Sequence, residues 1–324
     1  MSRLAYIAAS SHSGSTLLAM LLGAQPGVCT VGELRLANVG DPEKYLCACG
    51  ARIAECAFWR AVVDAMRARG VENFSPVNGG TGIINAPDAW SARLLAPLHR
   101  GPLLELVRDT ALGLSPAWRR HLRAAQQRNA RLLDALHEIT GAKVIVDSSK
   151  LPLRLKYLLR VPEIEVQVIR FVRDGRAVAL TYTDEWNFAD ASDPALRSGG
   201  TGVRRAPPRQ SIAEGAREWR RSNESADCLV ARLPRAQWMQ VRYEDLCAQP
   251  EAEIRRIAQF LELEAGLVNL NFRSRPQHVV GNGMRLDRTE AVQADERWRE
   301  HLSAENQQAF EQVAGPLNRK YGYL

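Results

Sequence analysis

The sequence predicts an α/β fold: a P-loop-like parallel sheet flanked by helices, with a helical insertion. Three observations carry this expectation. Short apolar runs alternate with segments of helical periodicity. The first run ends in the polar loop Ser10-Ser11-His12-Ser13-Gly14-Ser15-Thr16, directly before a helix. Residues from about Ala51 to Gly141 show helical periodicity almost alone.

Taken in order, Leu4 to Ala9 reads as the first strand and Thr16 to Gln25 as the first helix, ended by Pro26-Gly27. Val28 to Val31 is a second short extended piece, which delivers Gly32-Glu33 at its end. Inside the insertion, helices are predicted over Phe58 to Arg69, Trp90 to Leu112 and Pro116 to Thr140, interrupted by the Gly/Pro/Asn-rich stretch Ser75 to Pro87. Alternation then resumes with a strand over Lys143 to Asp147, a helix over Leu153 to Leu159, a strand over Val166 to Val172 and a helix from about Gly175 to Trp186. A helix near Ile212 to Arg232, a strand over Trp238 to Tyr243 and a helix over Glu251 to Leu261 complete the pattern, which implies a mostly parallel sheet covered on both faces. Asp190 to Gln210 is rich in Gly, Pro, Ser and Arg and reads as a non-core segment, either a flexible lid or surface disorder.

At 324 residues and 46% hydrophobic content the chain can bury a substantial core. Its 43 Lys and Arg against 36 Asp and Glu give a formal charge of +7, which favours anionic ligands. No run of five or six basic residues occurs, so nucleic acid is not the expected partner. No membrane span is expected, because Leu17 to Ala24 is too short, and the N-terminal apolar run is too short for a signal peptide; a cytoplasmic location is the default. Six cysteines do not form a secreted-type framework. Cys47, Cys49 and Cys56 cluster, but Cys-x-Cys is poor zinc spacing and no fourth ligand lies nearby, so no metal is expected.

The first loop sits where an open α/β sheet binds anions, since backbone N–H groups point outward there and the helix dipole favours negative charge. Ser11, Ser13, Gly14, Ser15 and Thr16 add hydroxyl donors and close backbone approach. It is not a Walker A loop: Ser15 stands where the lysine would be, and Ala9 where the first glycine would be. A second element, Arg173-Asp174-Gly175-Arg176 through Thr181, places an arginine at a strand end and a hydroxyl eight residues later, which can converge on one phosphate.

In order along the chain, these segments resemble the sulfotransferases that use 3′-phosphoadenosine 5′-phosphosulfate (PAPS). The first loop is similar to their 5′-phosphosulfate loop, with His12 where the family has Arg or Lys; an imidazolium there would do the same electrostatic work and make donor activation sensitive to pH. The Arg173 to Thr181 element resembles the 3′-phosphate motif, with Thr181 in place of serine. Tyr243-Glu244-Asp245-Leu246 resembles the Y-E-D-L segment, whose tyrosine lies against the adenine. Gly281-Asn282-Gly283-Met284-Arg285, followed by Asp295 to Trp298, resembles G-N-P-M-R with its downstream D-x-x-W, which implies Asn282 at the donor and Arg285 as a second 3′-phosphate contact. Glu33 lies at an offset similar to the catalytic base of tyrosylprotein and some bacterial members. Asp147-Ser148-Ser149-Lys150 resembles the D-S-S-K turn, which makes Lys150 a sulfate or bridging-oxygen contact and leaves Asp147 as an alternative base.

The resemblance implies a single domain over residues 1–324, with the insertion at about 51–141 shaping the acceptor pocket and the lid at about 190–210. The expected activity is in-line transfer of a sulfuryl group from PAPS, as co-substrate, to a hydroxyl of a small metabolite or carbohydrate. The alternatives are a P-loop kinase or nucleotide hydrolase, which the missing Walker lysine disfavours, and a non-catalytic binder of nucleotides or sulfated glycans.

Overall fold

The computed structural model describes residues 1–36, 43–96, 98–184, 210–264, 266, 268–281, 283–286 and 290–323. Five strands, β1 (Ser2–Ala8), β2 (Val28–Thr30), β3 (Val144–Lys150), β4 (Ile164–Val172) and β5 (Trp238–Arg242), form one sheet in the order β2-β3-β1-β4-β5. Every pairing is parallel, as the alternation of strand and helix predicts.

Strand alternation sorts the core to both faces of this sheet. From β1, Leu4, Tyr6 and Ala8 enter one apolar cluster, while Ala5 and Ile7 enter another together with Ala9. The second cluster is closed by α1 (Ser15–Gly23) and, after β5, by α9 (Tyr243–Ala248) and α10 (Pro250–Phe260). The first is covered by α2 (Ala57–Ala68), α5 (Pro116–Thr140) and α6 (Pro152–Leu158).

The helical stretch between β2 and β3 follows its local signals. Ser115 caps α5 through its side chain, Pro116 occupies the first turn, and Gly141 closes the helix at φ +63°. The expected single helix over Trp90 to Leu112 is instead two, α3 (Ala89–Leu95) and α4 (Pro102–Leu114). Ala96, which precedes Pro97, is extended, and Pro102 begins the next helix; proline disfavours helical backbone in the residue before it.

Beyond β4 lie α7 (Gly175–Thr181), shorter than expected, and α8 (Ile212–Val230), which opens on a Ser211/Glu214 capping box. The expected lid lies outside the described residues apart from Gln210. Two further helices, α11 (Trp298–His301) and α12 (Ala304–Lys320), end the chain. The segment containing α12 is clamped to β4 from inside: Arg170, fully buried, donates to Asn223 Oδ1 at 2.7 Å and to the Tyr321 hydroxyl at 2.8 Å, and pairs with Asp227 at 3.0 Å. No helix among the described residues is long and apolar enough to cross a membrane.

Candidate active site

The chain leaves β1 for β2 and β3 on one side and later crosses to β4 and β5 on the other, so the strand order reverses at β1. Ligands of open α/β sheets bind in the crevice beyond the strand ends at such a reversal. Here the loop after β1 meets the ends of β3 and β4. Within it, Gly14 caps α1 at φ +81°. A Cβ at Gly14 would stand 2.6 Å from the Tyr243 ring, so both backbone and packing demand glycine. The first-turn N–H groups of α1 have no intrahelical acceptor and point out of the helix end. Beside them Ser13 Oγ is buried, with no hydrogen-bond partner among the described residues. Ser10 and Ser15 are buried too, while Ser11 and Thr16 are half-buried.

His12 has φ +60°, its ring meets Tyr182 edge-on at 4.9 Å, and its carbonyl accepts from Arg173 at 2.9 Å. Burial, then the neighbouring charges of Lys150 and Arg173, pull its pKa down to about 4. In the ligand-free site, burial and the two neighbouring cations thus favour the neutral imidazole over the imidazolium expected from the sequence.

Glu33 and Lys150 come together at the ends of β2 and β3. Lys150 Nζ donates to Glu33 Oε1 at 2.5 Å, and Arg35 Nε to Oε2 at 2.7 Å. Burial pushes the Glu33 carboxyl up, but Lys150 and Arg35 outweigh it and hold it below the ordinary value. The meeting is arranged by the backbone. Asp147 Oδ1 accepts from Leu34 N at 3.1 Å, Ser149 Oγ from Arg35 N at 3.1 Å, and Gly32 carbonyl from Ser148 N at 2.9 Å. Asp147 is itself fully buried; Oδ1 also accepts from Ser149 N and Oγ, and Oδ2 takes two bonds from buried Arg154. Every direction of that carboxylate is engaged, which removes Asp147 as the alternative base and makes it the residue that positions Glu33. Arg35, two residues beyond Glu33, is a partner the sequence reading missed.

Arg173 leaves the end of β4 and lies 4.5 Å over the Tyr243 ring. It donates to His12 carbonyl and pairs with Asp295 at 3.1 Å. Tyr243 begins α9 rather than ending β5; it is 5% exposed, with Gly14 against its edge and its hydroxyl accepting from Asp295 N at 3.1 Å. The ring thus supports the loop and Arg173 from beneath. Thr181 Oγ1 donates to Ala177 carbonyl and lines a cavity of about 200 Å³ with Asp295, Arg297, Trp298 and His301. Arg173 reaches this cavity's wall through Asp295. The turn that carries Arg173 is braced from the far end of the chain: Asn318 accepts from Gly175 N at 2.9 Å and donates to Asp174, while the Tyr323 hydroxyl bonds Glu244.

Arg285 differs from expectation. Its side chain is fully buried, lies 4.4 Å over Tyr45 and donates to the carbonyls of Leu46 at 3.1 Å and Gly281 at 2.7 Å. Those carbonyls take Nε and Nη1 of the group that was expected to face a 3′-phosphate. Arg285 instead fixes Gly281, whose φ is +112° and where a Cβ would stand 3.3 Å from Glu33 Cγ. Asn282 lies outside the described residues. His278, just before this turn, lies against Cys47, Cys49 and Cys56.

A serine-rich loop at the strand-order reversal of a parallel α/β sheet is thus flanked by a carboxylate–lysine pair and a buried arginine. Residues 108–266 match the model of the Sulfotransferase family. The match contains Lys150, Arg173, Thr181 and Tyr243; the first loop and Glu33 precede it. The fold is similar to the sulfotransferase domain of the Synechococcus PCC 7002 olefin synthase, with a TM-score of 0.52 and 18% identity over 99% of this chain and 95% of that one. It is also similar to the sulfotransferase domain from the curacin biosynthetic pathway, with a TM-score of 0.50 and 14% identity over 97% of this chain and 98% of that one. No curated protein sequence matches the chain.

Proposed function

We propose that the protein moves the sulfuryl group of PAPS onto a hydroxyl of a small metabolite or carbohydrate. The observation that carries this reading is the Glu33–Lys150 pair, 2.5 Å apart, beside an anion loop that lacks the Walker lysine. Buried Ser13 Oγ, lacking a partner among the described residues, and the open end of α1 suit the donor's 5′-phosphosulfate. Arg173, on the β4 side, suits the 3′-phosphate, which would displace the Asp295 carboxylate from it.

In the transfer, the acceptor oxygen attacks sulfur and its proton goes to Glu33. The new O–S bond forms as the bond from sulfur to the 5′-phosphate oxygen breaks, and the electron pair leaves on that oxygen. The product is 3′-phosphoadenosine 5′-phosphate (PAP). Lys150, as a fixed cation, offsets the charge that develops on the leaving oxygen. Neutral His12 contributes a hydrogen bond rather than a charge. Before the donor arrives, the ion pair holds both catalytic groups in place. Donor anion competes for Lys150, and loss of that partner lets the Glu33 pKa rise toward the range of a useful base.

Thermal denaturation with PAP, set beside ATP and Mg²⁺, tests the donor. PAP at about 100 times its Kd should stabilise the fold by about 2.7 kcal/mol. Stabilisation by ATP with Mg²⁺ and none by PAP would favour a kinase instead. Glu33→Gln should keep the PAP response and lose sulfuryl transfer, followed by mass spectrometry over a panel of hydroxyl acceptors. Retained transfer would remove Glu33 as the base.

A further inference from the structure

Outside the set of residues assigned to the transfer, three thiols and one imidazole are gathered into a small volume. The Sγ atoms of Cys47, Cys49 and Cys56 and a ring nitrogen of His278 all lie within 4.8 Å of one another. Four separations have the size of tetrahedron edges. Cys49 Sγ to Cys56 Sγ is 3.7 Å, Cys56 Sγ to Cys47 Sγ 3.9 Å, Cys47 Sγ to His278 Nδ1 3.7 Å, and Cys56 Sγ to His278 Nδ1 3.3 Å. Tetrahedral zinc with Zn–S of about 2.3 Å and Zn–N of about 2.0 Å requires S–S edges of about 3.8 Å and S–N edges of about 3.5 Å.

The surrounding backbone is built for such a site. Cys47 and Cys49 stand on a tight knuckle, in which Gly50 N donates to Cys47 carbonyl at 2.9 Å and Leu46 bridges Arg52. Cys56 caps the N-terminal end of α2, and the His278 ring is stacked on Phe58 at 4.3 Å, which fixes its plane. Cys47 and Cys56 are buried, and all six cysteines of the chain are free. The poor Cys-x-Cys spacing is overcome because the fourth ligand arrives from 222 residues beyond Cys56.

From this geometry we propose that Cys47, Cys49, Cys56 and His278 bind one structural zinc ion. Binding replaces three thiol protons by Zn²⁺, and four protein ligands leave no open position, so the ion is structural and not a Lewis acid for the transfer. Its consequence lies next door. Ala48 N donates to Val279 carbonyl, Val280 pairs with Gly32, and Gly281 packs on Glu33. The ion would therefore lock the start of the helical stretch to the strand-like segment that forms one wall of the Glu33 site. Metal binding holds whether or not the sulfotransferase reading does.

The test uses the full chain, purified under reducing, chelator-free conditions. Elemental analysis should return one zinc per chain. Replacement by Co²⁺ should produce the intense visible bands of a tetrahedral site together with thiolate charge transfer. Cys49→Ser, at the exposed ligand, and His278→Gln should each lose the metal and several degrees of Tm while remaining folded by circular dichroism. No zinc and no cobalt spectrum in the reduced protein would overturn the proposal. Full zinc occupancy in both variants, or a Cys49–Cys56 disulfide in metal-free protein whose Tm zinc does not raise, would overturn it too.

Discussion

At the residue scale, charge state decides what each group can do. Glu33 is held ionised by Lys150 and Arg35, and His12 is held neutral by burial and by Lys150 and Arg173. Neither changes charge near neutrality, so kcat/KM should stay level across about pH 6 to 8 and fall only in acid, as Glu33 takes up its proton. An inflection in the histidine range that disappears in His12→Ala would contradict the neutral assignment. The same depressed pKa has a stability consequence. The unfolded chain binds the His12 proton near 6.5, so this contribution to stability is complete above that pH and is lost as pH falls toward about 4. Arg173 is the other decisive residue. Losing its charged hydrogen bonds in Arg173→Ala should weaken PAP binding by about 1.5 to 3 kcal/mol in calorimetry, and unchanged affinity would exclude it from the donor site.

At the element scale, the end of β3 does more than carry Lys150. Asp147 and Ser149 take the N–H groups of Leu34 and Arg35, and Asp147 pairs with Arg154 on α6. Asp147→Ala would strand a buried arginine, so it should cost about 3 to 5 kcal/mol in denaturant unfolding. A variant of full stability with only a lowered rate would instead restore Asp147 as a base. Most elements around this turn were legible in the sequence. The strands showed as apolar runs, and α5 was readable to the residue from Ser115, Pro116 and Gly141. The break between α3 and α4 was hidden by apolar residues that continue across it, Leu98 among them. The C-terminal α12 was missed because its polar stretch carries few apolar positions. Phe310 and Ala314 are buried, but Asn318 and Tyr321 do much of its anchoring through hydrogen bonds.

At the scale of the whole molecule, the sheet gathers chemistry from far apart in the chain. His12, Glu33, Lys150 and Arg173 come from the ends of four strands, and parallel pairing puts all four ends on one edge. Because strand–helix alternation dictates parallel pairing, the sequence by itself determined the fold, the anion loop and the candidates Glu33, Lys150 and Arg173. Local periodicity, helix signals and motif order are properties of short segments, so they can be read without coordinates. Only the tertiary structure showed that burial and two cations favour a neutral His12, that Asp147 and Arg285 are held by partners inside the protein, and that His278 lies beside the cysteine cluster. Those outcomes depend on burial and on partners more than a hundred residues away, and neither is encoded in a residue's immediate neighbours.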